Sequence, residues 1–185
     1  MSSTIRLLGI SGSLRRGSFS TAVLETLSAE VAATATTDFA DIGALPHYDQ
    51  DLDRAGAPDA VVTLRRRIEA ADGLVVVSSE FNYGIPGVLK NAIDWASRPA
   101  FASPLKGKPV LIVTSSPAFT GGVRAQQQLR ETFAATLARP VPTAEVVIGQ
   151  VNTKIVNGRL VDRATIDFAL AAYRALFAEI ELLRA

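Results

Sequence analysis

Three stretches hold the residues best suited to chemistry. The first, GISGSLRRGSFS at 9–20, packs three glycines, four serines and two adjacent arginines into twelve positions. Its glycines do not follow G-x-G-x-x-G, and no Gly-Lys-Ser/Thr closes the loop. Neither the pyrophosphate of a dinucleotide nor a magnesium triphosphate is therefore the natural ligand. A Gly/Ser loop running into a helix offers free N–H groups, hydroxyl donors and the positive end of the helix dipole, which suits the terminal oxygens of a phosphate monoester. Arg15 or Arg16 can add a bidentate fork. A plainer reading stays open, in which the serines cap the helix and both arginines face solvent.

The second stretch is SEFNYGIPGVLKNAIDW, 79–95. It opens at the end of an apolar run, so Glu80–Tyr83 should stand at the mouth of whatever crevice that strand faces. A flat polar heterocycle needs donors and acceptors for its edge and an aromatic wall for its face. Glu80, Asn82 and their peptide groups can meet the edge, with Phe81 or Tyr83 beside the face. Gly84 is expected to take an unusual backbone dihedral, and Pro86 to fill the first turn of the next helix. The third stretch brings Ser115 and Ser116, then Pro117–Phe119, then Gly121–Gly122 before a helix from about Val123. Paired glycines let the backbone approach a flat ligand closely.

The elements that must position these loops follow from periodicity. Ile5–Ile10, Thr37–Ile42, Gly73–Ser78, Val110–Ser115 and Ala144–Ile148 read as strands, the third and fourth nearly continuous β-branched runs typical of buried parallel strands. Between and after them, Val23/Leu24/Leu27/Val31, Val61/Leu64/Ile68/Ala71, Val88/Leu89/Ala92/Ile93, Leu129/Phe133/Leu137 and Ile166/Leu170/Tyr173/Phe177/Ile180 recur at helical spacing. Five-fold alternation predicts an α/β three-layer sandwich on a five-stranded parallel sheet, order 2-1-3-4-5, as one domain over 1–185. In that order ligands lie beyond the carboxyl ends of strands one and three, where all three loops emerge. Lys90, Asn91 and Asp94 should form a solvated or subunit-facing side of their helix, and Arg124 with Gln126–Gln128 are further interface candidates.

Composition removes several classes. Of 185 residues 48% are hydrophobic, enough for one core, and the formal charge of +1 with no basic–aromatic stripe speaks against nucleic acid. There is no cysteine and a single histidine, His47, so disulfides, thiolate chemistry, a metal cluster and a histidine-based triad are not expected. No apolar run suggests a signal peptide or membrane span, which predicts a cytoplasmic protein.

In order and spacing GSLRRGSFS, SEFNYGIPGVLKNAIDWASRP and TSSPAFTGGVRAQQQLR resemble the flavodoxin-like NAD(P)H-dependent FMN reductases, the group of bacterial quinone, chromate, azo-dye and ferric reductases. The resemblance extends through ALPHYDQDL and the C-terminal helix. It implies that Ser11, Ser13, Arg15, Ser18, Phe19 and Ser20 serve the FMN phosphate. Glu80, Phe81, Asn82 and Tyr83 would hold the isoalloxazine, and Ser115, Ser116, Gly121 and Gly122 would cover its other edge. Ser79 replaces the family's common proline, and Phe81 its frequent tyrosine. The implied activity is ping-pong: NADPH or NADH reduces FMN, then a quinone, flavin or other small oxidant is reduced, with no side-chain catalyst. A homodimer or homotetramer is also implied. The competing function is that of a flavodoxin-type FMN electron carrier without NAD(P)H oxidation, which the balanced charge disfavours.

Overall fold

A computed structural model describes residues 4–185. The centre is a pair of strands buried along their whole length, β3 (Gly73–Ser78) and β4 (Pro109–Ser115). With β1 (Ile5–Ser11) and β2 (Ala35–Phe39) they make a parallel sheet in the order β2-β1-β3-β4. Beyond β4 lie two short edge pieces, β5 (Arg139–Pro140) beside Pro109–Val110 and β6 (Val146–Ile148) beside Val113–Ser115. The predicted order 2-1-3-4-5 is thus present with its last strand in two parts. Pro140 and Pro142 explain the break, because proline cannot donate to a ladder and belongs at edges.

Alternate side chains of each strand feed opposite layers. Leu7, Val75, Val77, Leu111 and Val113 face α1 (Phe19–Glu30) and α7 (Arg163–Arg184), where Val23, Leu27, Tyr173 and Leu176 meet them. Leu8, Ile10, Leu74, Val76, Val110 and Ile112 face α3 (Asp59–Ala70), α4 (Gly87–Ala96) and α5 (Val123–Ala135) through Ile68, Leu89, Trp95, Leu129 and Phe133. Each such buried side chain contributes about 1.5–3 kcal/mol relative to exposure.

The second strand starts two residues and ends three residues earlier than its sequence pattern suggests. The Asp41 carboxylate accepts from Gly43 N–H at 2.9 Å, and this turn carries Ile42 off the strand line into the core. Three small elements carry no apolar period: α2 (Gln50–Gly56), the one-turn α6 (Val151–Lys154) and the hairpin β7–β8 (Ile155–Val156, Arg159–Leu160). At the amino-terminal edge of the sheet, Lys108 Nζ donates to the carbonyls of Ala71 and Glu69 and satisfies the end of α3. Half-burial there pushes its pKa down. Among the described residues no helix is long and apolar enough to cross a membrane.

Candidate functional site

Because β1, β3 and β4 are adjacent and parallel, the chain leaves them side by side. Ser11 lies opposite Val77, and Ser78 opposite Thr114. The first loop rests directly on the second. Gly12 N–H donates to the Val77 carbonyl at 2.8 Å, and a Cβ on Gly12 would stand 2.8 Å from Ser78 Oγ. Ser18 caps α1, its Oγ accepting from Thr21 N–H at 3.2 Å, while its own N–H closes a turn onto the Arg15 carbonyl at 3.0 Å. The first-turn N–H groups of Phe19 and Ser20 find no acceptor among the described residues. The Arg15 guanidinium sits 5.1 Å above the Phe19 ring, at the same helix end.

The loop's hydroxyls are less free than its composition suggests. Ser11 Oγ bonds Thr21 Oγ1 at 2.8 Å, and Ser20 Oγ bonds Ser115 Oγ at 3.3 Å in a fully buried contact between α1 and β4. Ser13 Oγ accepts weakly from Arg15 N–H at 3.4 Å. Donors to an anion here are therefore the main chain and Arg15 more than the serine side chains. Arg16 is exposed and has no hydrogen bond or ion pair among the described residues.

In the second loop Phe81 and Gly84 pair across a hairpin, with N–H to carbonyl distances of 2.9 and 3.0 Å in the two directions. Asn82 and Tyr83 form its tip with φ of 49° and 62°, the left-handed pair of a type I′ turn. The unusual dihedrals expected at Gly84 therefore belong to Asn82 and Tyr83. Gly84 is needed for room instead: a Cβ there would lie 2.8 Å from Gln128 Oε1. Pro86 is the residue before α4 rather than part of its first turn. Both aromatics project outward, Phe81 69% and Tyr83 74% exposed.

Glu80 does not point at the mouth of the crevice. Its Oε2 accepts from the N–H groups of Arg124 and Ala125 at 2.9 and 3.2 Å, and Oε1 lies 3.5 Å from the Arg124 guanidinium. The carboxylate caps α5, where negative charge meets the positive helix end. Arg124 in turn lies 4.2 Å above the Tyr83 ring.

The third loop ends on Gly121 and Gly122, with φ of 63° and 91°. A Cβ on Gly121 would fall within 3 Å of Val147, Ile148 and Gly149. The sequence pattern marks Val147 and Ile148 as strand residues only and assigns 149–151 no part in the site. Gln150 N–H donates to the Ala118 carbonyl and Val151 N–H to that of Ser116, so 149–151 buttresses the loop from behind. Ser116 Oγ accepts from Ala118 N–H, and Phe119 stands 88% exposed at the rim.

Several polar groups expected at an interface have internal partners. Gln126 is fully buried against β4, Gln128 accepts from Ile85 N–H at 2.7 Å, and Arg124 is engaged as above. Asn91 is not a solvated residue: Nδ2 donates to the Pro46 carbonyl and Oδ1 accepts from Tyr48 N–H, both at 2.8 Å. Trp95 Nε1 donates to the same carbonyl. These bonds pin the loop that carries the exposed His47. A cavity of about 190 Å3 beside the first loop is lined by Ser11, Ser13, Thr21, Glu25 and Asp41. A larger one, about 370 Å3, lies between α4 and the end of α5, among Lys90, Asp94, Arg98, Phe101 and Leu137.

The profile of the family described as NADPH-dependent FMN reductase matches residues 5–153. An NAD(P)H-dependent FMN reductase of Pseudomonas aeruginosa is 43% identical over 163 residues, 88% of each chain. A quinone reductase of Escherichia coli is 40% identical over 174 residues, 90% of each. Among solved structures, a flavoenzyme NAD(P)H:(acceptor) oxidoreductase from Paracoccus denitrificans superposes with a TM-score of 0.84 at 31% identity, covering 96% of this chain and 98% of its own.

Proposed function

This chain belongs to the NADPH-dependent FMN reductase family, and we propose that it is an oxidoreductase that uses bound FMN to pass electrons from NADPH or NADH to a small acceptor, with quinones first among the candidates. The observation that carries this reading is the meeting, at the carboxyl ends of three adjacent strands, of an anion-ready helix end beside Arg15, an aromatic hairpin and a paired-glycine loop. Relatives named for FMN and quinone reduction support it.

The residues present fit the cofactor. Phe19 and Ser20 leave two first-turn N–H donors without an acceptor among the described residues at the positive end of α1, and Arg15 adds an exposed charge; this donor set matches a dianionic monoester. Phe81, Asn82 and Tyr83 would wall the ring, and the main chain of Ser115–Ser116 and Gly121–Gly122 would approach its far edge. Ser11, Ser18 and Ser20 serve the phosphate by fixing the loop's shape through their bonds to Thr21 and Ser115.

When bound, FMN supplies the two-electron chemistry, accepting hydride from NAD(P)H and then giving electrons to the acceptor in a ping-pong cycle. The protein's own part is to orient and to stack. Its exposed rim of Leu14, Phe81, Tyr83 and Phe119 offers flat apolar contact to a nicotinamide or a quinone. Neither partner then requires an acid or base side chain, and protons come from solvent.

The test is anaerobic addition of NADPH and of NADH to the FMN-loaded protein. Bleaching of the flavin within seconds to minutes, and recovery of colour on adding benzoquinone, is expected. A flavin that stays yellow with both donors makes the protein an electron carrier instead. Kinetics over quinone, free flavin, ferric chelate, azo dye and chromate rank the acceptors, and light scattering tests for the homodimer or homotetramer that the family resemblance suggests.

A further inference from the structure

We propose that Gln128 is a positioning residue, a latch that fastens the outgoing strand of the 81–84 hairpin to α5 and so sets Phe81 and Tyr83 against the ring; the ring-setting part rests on the function proposed above. Apart from Ile85, which packs partly buried on the core, the hairpin has little else to hold it. Its two cross-strand hydrogen bonds are internal, its aromatics are mostly exposed, and its tip carries two non-glycine residues in the left-handed region. Such a tip needs external bonds to keep one orientation.

Two such bonds reach it from one face of α5. Arg124 and Gln128 are four residues apart and so point the same way. At Arg124 the incoming strand is fixed: Glu80 accepts from the Arg124 and Ala125 N–H groups, and the guanidinium covers Tyr83 at 4.2 Å. At Gln128 the outgoing strand is fixed: Oε1 accepts from Ile85 N–H at 2.7 Å. Gly84 is the socket for this second bond, since a Cβ there would press on Oε1 at 2.8 Å. Without Gln128 the outgoing strand keeps only the Arg124–Tyr83 contact and the packing of Ile85 on the core, and the tip can swing about Glu80.

Four variants of the full chain test this. Gln128→Met keeps length and loses the acceptor oxygen, Gln128→Glu keeps the oxygen, Gly84→Ala pushes the side chain out of its socket, and the double variant G84A/Q128M combines two losses. Hydrogen exchange at the Ile85 amide, read on FMN-free protein, should be slow in the wild type and in Q128E and fast in Q128M and G84A. In FMN-loaded protein, Q128M should raise the FMN dissociation constant and the half-saturating NAD(P)H concentration about three- to ten-fold. The thermal midpoint of FMN-free protein should not move, because the side chain is exposed, and Q128E should restore both constants. G84A should match Q128M, and the double variant should be no worse than either.

An Ile85 amide that exchanges equally in wild type and Q128M overturns the latch. So does multiplication of the two single effects in the double variant. Faster Ile85 exchange with unchanged binding constants in Q128M overturns the ring-setting role while leaving the contact. A wild-type chain that binds no FMN overturns the function, and the exchange data still decide the latch.

Discussion

Glu80 offers a sharp test of how the crevice is built, because its sequence context implies a ring contact whereas its carboxylate is bonded to α5. In Glu80→Ala the N–H groups of Arg124 and Ala125 lose their shared acceptor, and the Arg124 guanidinium loses its charged neighbour. The side chain is only 12% exposed, so water replaces it poorly. Loss of a capping carboxylate typically costs about 0.5–2 kcal/mol. The ion pair adds little at 3.5 Å with a half-exposed partner, a few tenths of a kcal/mol at most. A total of about 2 kcal/mol follows, which for a chain of this length lowers the thermal midpoint by about 4–8 °C. Glu80→Gln keeps an acceptor oxygen and loses the charge at the helix end, so about 0.5–1 kcal/mol and a drop of about 1–4 °C are expected.

The decisive assay compares melting with and without FMN. A cap destabilises the FMN-free protein as much as the loaded one, because the bonds to α5 exist before any ligand arrives. A ring contact would leave the FMN-free midpoint unchanged and lower only the loaded one. An FMN-free E80A chain that melts with the wild type refutes the cap and returns Glu80 to the ring.

Arg15→Ala should raise the FMN dissociation constant about tenfold, the worth of one charge-assisted phosphate contact, by fluorescence titration of FMN-free protein; unchanged affinity removes Arg15 from the site. Gly121→Ala should cost more than about 2 kcal/mol in urea denaturation, because a left-handed φ and a Cβ within 3 Å of backbone act together. Gly158→Ala, with φ of 75° and nothing within 4 Å, should show only the backbone cost of about 1 kcal/mol. The Asp162 carboxyl caps α7, and bonds from the Thr165 hydroxyl and N–H, then Lys154, hold it below the usual carboxylate range. Since the folded value is the lower one, this contribution is present at neutral pH and is lost as pH falls through the folded value. Asp162→Asn should therefore show a shallower loss of thermal midpoint on acidification than the wild type.

The central fold could be read from the sequence because it rests on local, periodic signals. Gly73–Ser78 and Pro109–Ser115 are buried on both faces, and an unbroken β-branched run records that fact residue by residue. Where a nonlocal contact or a single turn decides, the pattern fails. Ile42 is as apolar as any strand residue, yet the Asp41 turn takes it out of the sheet. The edge strand reads as continuous at 144–148, but pairing begins at Arg139, runs to the Val141 N–H on the Val110 carbonyl, and lapses across 142–145. The β7–β8 hairpin buries little besides Leu160 and left no period to find.

The site divides in the same way. Which loops meet at one end of the sheet was legible, since glycine, serine and aromatic residues stood out where strands end. What each side chain does was not, because the deciding partners are 44 residues away for Glu80 and 43 for Gln128. Composition could suggest that Glu80 meets a ligand, but only the placement of α5 over the end of β3 supplies two N–H groups that claim it first. The same logic reassigns the serines of the opening loop. Ser20 is bonded 95 residues away to Ser115, and that bond ties the anion-ready end of α1 to the strand that carries the glycine loop. A Ser20→Ala variant, which keeps the backbone N–H, should therefore weaken FMN binding only indirectly, through looser registry of α1 on β4. It should cost about 1 kcal/mol of stability in FMN-free protein and leave the salt dependence of FMN binding unchanged. Were Ser20 Oγ itself a phosphate ligand, the FMN-free protein would be unaffected and binding alone would fall.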